Sequence, residues 1–112
     1  MSNIMNNKPE EGINIVRLLG SGQFKIDLNT VKEINQIDNE IVALLQNKND
    51  DDTVKKEFDE KIRKIYDKIN EKGTLIEFTE IIPSDIIIPG PEIDLKKARE
   101  LFQGAGIIDD LY

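Results

Sequence analysis

Apolar positions along the chain follow two different periods, and the change falls near residue 30. Residues 13–19 (Ile-Asn-Ile-Val-Arg-Leu-Leu) are rich in β-branched and aliphatic side chains, and residues 24–28 alternate, with Phe24, Ile26 and Leu28 sharing one face. Both patterns suit strands. Gly20-Ser21-Gly22-Gln23 interrupts them, so the two segments pair as an N-terminal β-hairpin whose glycines take up the positive φ angles of the turn. Beyond this the period lengthens. Thr30 with Glu33 forms a capping box, with Asn29 as the alternative N-cap, and Val31, Ile34, Ile37, Ile41, Leu44 and Leu45 recur at helical spacing to about residue 46. A polar, acidic loop follows. Val54, Phe58, Ile62, Ile65, Tyr66 and Ile69 then mark a second helix over residues 53–72, ended by Gly73 as its C′ residue. The two helices predict an antiparallel pair, each closing the apolar face of the other.

The rest of the chain is less periodic. Residues 75–78 and 86–88 read as short extended segments that can add a further strand to the sheet, and Pro89-Gly90-Pro91 stops them. Asp94 caps a short third helix through about residue 103, with Leu95, Ala98, Leu101 and Phe102 on its buried side. A partly apolar tail holds Ile107 and Ile108. Residues 1–12 have no apolar core and read as a flexible leader rather than a signal peptide, which leaves residues 13–112 as one domain. The expected fold class is α+β.

Composition narrows the chemistry. There is no His and no Cys, which removes the commonest general base, a thiolate nucleophile and the usual transition-metal ligands. With 15 basic residues against 22 acidic ones the net charge is −7, so phosphate backbones and anionic lipid are repelled. No apolar run nears the roughly 18 residues of a membrane-spanning helix. The expectation is a cytoplasmic protein with no cofactor, no metal and no nucleic-acid partner.

Individual motifs agree. Gly20-Ser21-Gly22 lacks the helix that follows a phosphate-cradling loop. The acidic stretch Asn49 to Asp52 lacks the central glycine of a calcium loop. The cations of the second helix are interleaved with acids, with Glu57–Lys61, Asp59–Arg63 and Glu60–Lys64 as favourable i,i+4 pairs. The heptad-like stripes could also serve intermolecular docking, but pairing within the chain explains them without a further assumption. Arg17 sits between Ile15 and Leu19 on one strand face, where it needs a partner such as Asp85 or an edge position. Glu77, Glu80 and Asp85 have no diagnostic spacing for acid–base work.

The order of short motifs resembles one known family. Ile15-Val16-Arg17-Leu18-Leu19-Gly20-Ser21-Gly22-Gln23-Phe24 opens the match, Pro83-Ser84-Asp85-Ile86-Ile87-Ile88-Pro89 falls in its middle, and Leu101-Phe102 with Gly104-Ala105-Gly106-Ile107-Ile108 closes it. The chain thus resembles PspAA, the phage-shock-protein-A-associated domain of actinobacteria and archaea. It departs in its twelve leading residues, in Ser21 where an acid is common, and in Asp109 where Pro is common. The resemblance implies association with a PspA-like coiled-coil protein that protects membranes under envelope stress, with the membrane reached only through that partner. It brings no catalytic residues. The motifs supply candidate partner-binding residues: Arg17, Gln23, Ser84, Asp85, Phe102, Ile107 and Ile108. The hairpin turn, the 83–89 segment and the tail are expected to form one surface. A non-enzymatic adaptor or regulator is the leading expectation. The alternatives are a self-associating homodimer of unrelated role and a small carboxylate-dependent hydrolase.

Overall fold

The computed structural model describes residues 13–46, 52–77, 82–103 and 106–108. In chain order the elements are β1 (Ile13–Leu18), β2 (Gly22–Asp27), α1 (Leu28–Gln46), α2 (Asp52–Lys72), β3 (Thr74–Leu75), β4 (Ile86–Ile88) and α3 (Leu95–Leu101). This is the α+β arrangement expected from the two apolar periods. The first turn forms where Ser21 N–H donates to the Leu18 carbonyl at 2.8 Å. Gly20 and Gly22 have φ of 92° and 106°, a region that other residues enter only with strain.

The sheet has the order β3-β2-β1-β4. β1 and β2 are antiparallel from Ile13↔Asp27 to Leu18↔Gly22. β3 extends β2 antiparallel, and β4 joins β1 parallel from Val16↔Ile86 to Leu18↔Ile88. β3 and β4 therefore occupy opposite edges, and the chain between them must cross the sheet. Alternation puts Val16, Leu18, Phe24 and Ile26 into the core with α1 and α2, and turns Ile15, Arg17 and Lys25 to the other face.

The helix stripes close on each other as expected. Ile34, Ile37 and Ile41 of α1 and Val54, Phe58, Ile62, Ile65 and Ile69 of α2 are all buried in one cluster. Several details depart from the sequence reading. The N-cap of α1 is Asp27, whose Oδ1 accepts from Thr30 N–H at 2.9 Å, so the helix starts three residues before the capping box and Leu28 leaves the strand. This bond holds the Asp27 carboxyl below its usual range. Leu101 is exposed: Leu95, Ala98 and Phe102 repeat as i, i+3, i+7, and Leu101 lies off that stripe. Phe102 instead takes the buried place, its ring edge-on to Phe58 at 5.8 Å. Asp94 caps α3 as expected, accepting from Lys97 N–H at 2.8 Å. Gly73 follows α2, but its reason is close approach rather than a left-handed turn. A Cβ there would lie 2.6 Å from the Ile69 carbonyl and 3.3 Å from that of Lys25. The acidic loop at residues 47–51 lies outside the described residues, as do Phe78 and Glu80.

Candidate functional site

Gln23 is placed by β2 on the outer face of the sheet, yet it is buried because the crossing chain passes over it. Its Nε2 donates to the Ile82 carbonyl at 2.7 Å and to Ser84 Oγ at 2.8 Å. Asp85 completes the clip with its Oδ2 accepting from Ile15 N–H at 2.8 Å, while its own N–H donates to the Ile15 carbonyl at 2.8 Å. Three of the candidate residues thus converge. Their polar groups are engaged in holding residues 82–85 to the sheet, which directs Ile86–Ile88 into parallel register beside β1.

Tyr66 ties the hairpin turn to the end of β4. Its hydroxyl lies 3.1 Å from the Leu19 carbonyl and 3.2 Å from that of Pro89, and burial together with Glu92 pushes the phenol above its ordinary range, so it stays a donor. Leu19 N–H donates to the Ile88 carbonyl at 3.2 Å. The hairpin turn and the 83–89 segment therefore form one corner, as the motif order suggested.

The tail is anchored elsewhere, on α1. Asp38 is 1% exposed, and its two carboxylate oxygens accept from Ile107 N–H at 3.1 Å and Ile108 N–H at 3.0 Å. Gly106 approaches so closely, with φ of 93°, that an added Cβ would lie 2.8 Å from the Asp38 Cγ. Ile108 is fully buried, Phe102 nearly so, and Ile107 packs at the margin of the core. The structure thus gives Phe102, Ile107 and Ile108 a place in or beside the core. Asp38 itself went unnoticed in the sequence, although it shares the apolar stripe through Ile34, Ile41 and Leu45.

Taken together, the crossover clip and the tail latch account for most of the polar residues in the shared motifs. The family model described as PspA-associated protein, PspAA, matches residues 14–110. The chain belongs to the PspA-associated family. No curated protein and no solved structure matches it.

The surface of this PspA-associated domain is organised by charge. Three cations of α2, Lys61, Lys68 and Lys72, reach across to α1, and Lys61 does so in place of the Glu57 that the spacing had suggested. Lys61 meets Glu40 at 3.0 Å, and Lys68 and Lys72 meet Glu33 at 3.4 and 2.8 Å. Lys55 pairs with Asp59 at 2.7 Å. The Lys72 ammonium holds the Glu33 carboxyl below its usual range, and Glu33 in turn raises Lys72. The open groove of about 540 Å³ between the helices is lined by Glu33, Glu40 and Lys68 from these pairs and by Lys64, Asp67 and Glu71. Arg17 is exposed on the outer sheet face, opposite Gln23 on one side and Ile87 on the other. Asp85, the partner expected for it, is engaged by Ile15 N–H instead.

Among the described residues no group of three or more acids could hold a metal ion, and no helix is long and apolar enough to cross a membrane.

Proposed function

We propose that this domain is a non-enzymatic adaptor that docks on a PspA-like coiled-coil membrane-stress protein and regulates it. The observation that carries the reading is the family match over residues 14–110, nearly the whole chain. The geometry supports it, since Gln23, Ser84, Asp85 and Asp38 are occupied in holding the fold together rather than gathered in a cleft. Charge supports it as well. A chain of net charge −7 is repelled by anionic lipid but attracted to the basic faces of a membrane-binding protein. The domain then works in the cytoplasm and reaches the inner face of the membrane through its partner.

The test is a pull-down with purified full-length PspA from the same organism, together with co-sedimentation on anionic vesicles. The domain is expected to pull down PspA, and to sediment with vesicles only when PspA is present. Folded domain that binds PspA in neither experiment sinks the adaptor reading.

A further inference from the structure

We propose that the outer face of the sheet at β1 and β4 docks one amphipathic helix that carries an aliphatic pair beside a carboxylate. Leu19 and Ile87 supply the apolar contacts and Arg17 the charged one. The proposal rests on the adaptor reading and names the surface by which it acts.

The two faces of the sheet are covered unequally. One is closed by α1 and α2. On the other, residues 82–84 cover the β2 side, which is why Gln23 is only 7% exposed. On the β1–β4 side two aliphatic side chains are open among the described residues: Leu19 is 49% exposed and Ile87 51%. These two are not scattered surface aliphatics. Ile87 is the register partner of Arg17, Leu19 follows two residues later on the same face, and Leu19 N–H is bonded to the strand end at Ile88.

Charge then selects the occupant. Most described cations of α2 that lie near α1 are matched with Glu33 or Glu40. Arg17 makes no ion pair among the described residues, and the carboxylate sharing its face, Asp85, is held by Ile15 N–H. An unpaired guanidinium between two exposed aliphatics fits a carboxylate flanked by apolar residues. A second copy fits poorly, because a two-fold axis through this corner would set Arg17 against Arg17. An added strand also fits poorly, because β4 has three residues and closes on Pro89, which has no N–H to offer. Ile87 and Leu19 lie on neighbouring strands about 4.8 Å apart and two residues, about 7 Å, out of step, so about 8 Å separates them, a span reached by aliphatic residues one to two turns apart on a helix.

The experiment measures affinity for full-length PspA by fluorescence anisotropy, for wild type and variants checked by circular dichroism. Ile87→Asp and Arg17→Glu are expected to weaken binding about tenfold or more, Arg17→Lys to retain most of it, and Leu101→Asp, exposed on α3, to leave it within about twofold. Wild-type binding that survives both Ile87→Asp and Arg17→Glu overturns this surface while leaving the adaptor reading intact. A wild-type homodimer that Ile87→Asp dissociates puts a second copy on the face and overturns the helix. Absence of wild-type binding overturns the adaptor reading and this surface with it.

Discussion

The tail latch offers the sharpest test of how this fold is held. Asp38 lies in the buried stripe of α1 and receives the amide protons of Ile107 and Ile108; Gly106 leaves just enough room for the carboxylate. Asp38→Ala removes two charge-assisted hydrogen bonds and strands two amides. At about 1.5 kcal/mol each, less the desolvation that the carboxylate no longer suffers, the loss is about 2–3 kcal/mol. Gly106→Ala introduces a Cβ at φ of 93°, costing about 1–2 kcal/mol in backbone strain, and drives it against the Asp38 carboxylate, which is 1% exposed. Its total is about 3 kcal/mol or more.

The two changes act on the same contact, so their costs must not add. In the double variant the collision is gone because the carboxylate is gone. The expected loss is about 4 kcal/mol rather than about 6, a coupling of about 1–2 kcal/mol. Urea denaturation of the four proteins of the cycle measures this directly, and hydrogen exchange at Ile107 and Ile108 reports whether the latch opens before the core. Additive losses, or a Gly106→Ala variant within about 0.5 kcal/mol of wild type, would refute the latch.

Three further outcomes follow from the same geometry. Gly73→Ala is expected to cost about 1–3 kcal/mol, since its Cβ would press on the Ile69 and Lys25 carbonyls; a neutral effect in thermal melts would contradict the close approach. Tyr66→Phe removes the hydroxyl shared by Leu19 and Pro89 and should lower stability by about 1 kcal/mol, a fall in Tm of roughly 4 °C; an unchanged Tm speaks against the bridge. The acid limb is set in part by Glu33 and Asp27, whose folded pKa values are held down by Lys72 and by Thr30 N–H respectively. A depressed folded pKa gives stability that is present above the unfolded value and lost as pH falls through the folded one. The urea midpoint should therefore decline below pH 4.5, the ordinary value for Glu33. Glu33→Gln should remove a part of that slope that salt also removes, whereas the part due to Asp27, a backbone cap, persists in salt. A midpoint that rises on acidification in wild type but not in Glu33→Gln reverses the sign and fails the account.

Local order was legible in the sequence because period and punctuation are local properties. Phe58, Ile62, Ile65 and Ile69 announce a helix whatever they pack against, and Asp94 announces a cap three residues before the amide it accepts from. Competition between neighbouring signals is harder to read. Asp27 and Thr30 both favour an N-cap, and Asp27 wins because β2 ends there and delivers its side chain to Thr30 N–H. Long-range pairings are harder still. Gln23 finds Ile82 and Ser84 some sixty residues on, and Lys61 prefers Glu40 on the facing helix to Glu57 on its own. Helix packing turns Lys61 toward α1, and spacing within α2 holds no information about that rotation.

The site residues divide along the same line, and the division has functional content. In the strands, alternation splits each shared motif into positions that face the core and positions that face away. Val16, Leu18, Ile86 and Ile88 are explained by burial, and Gln23, Ser84 and Asp85 by the crossover they hold. Once those roles are subtracted, the side chains of Arg17, Leu19 and Ile87 remain, and among the described residues they make no hydrogen bond or ion pair. A half-exposed isoleucine at an outer strand position contributes little to stability, and an arginine without a partner there contributes no ion pair. The residues left over by the folding argument are therefore the ones to which a binding argument applies, and they lie together on one corner.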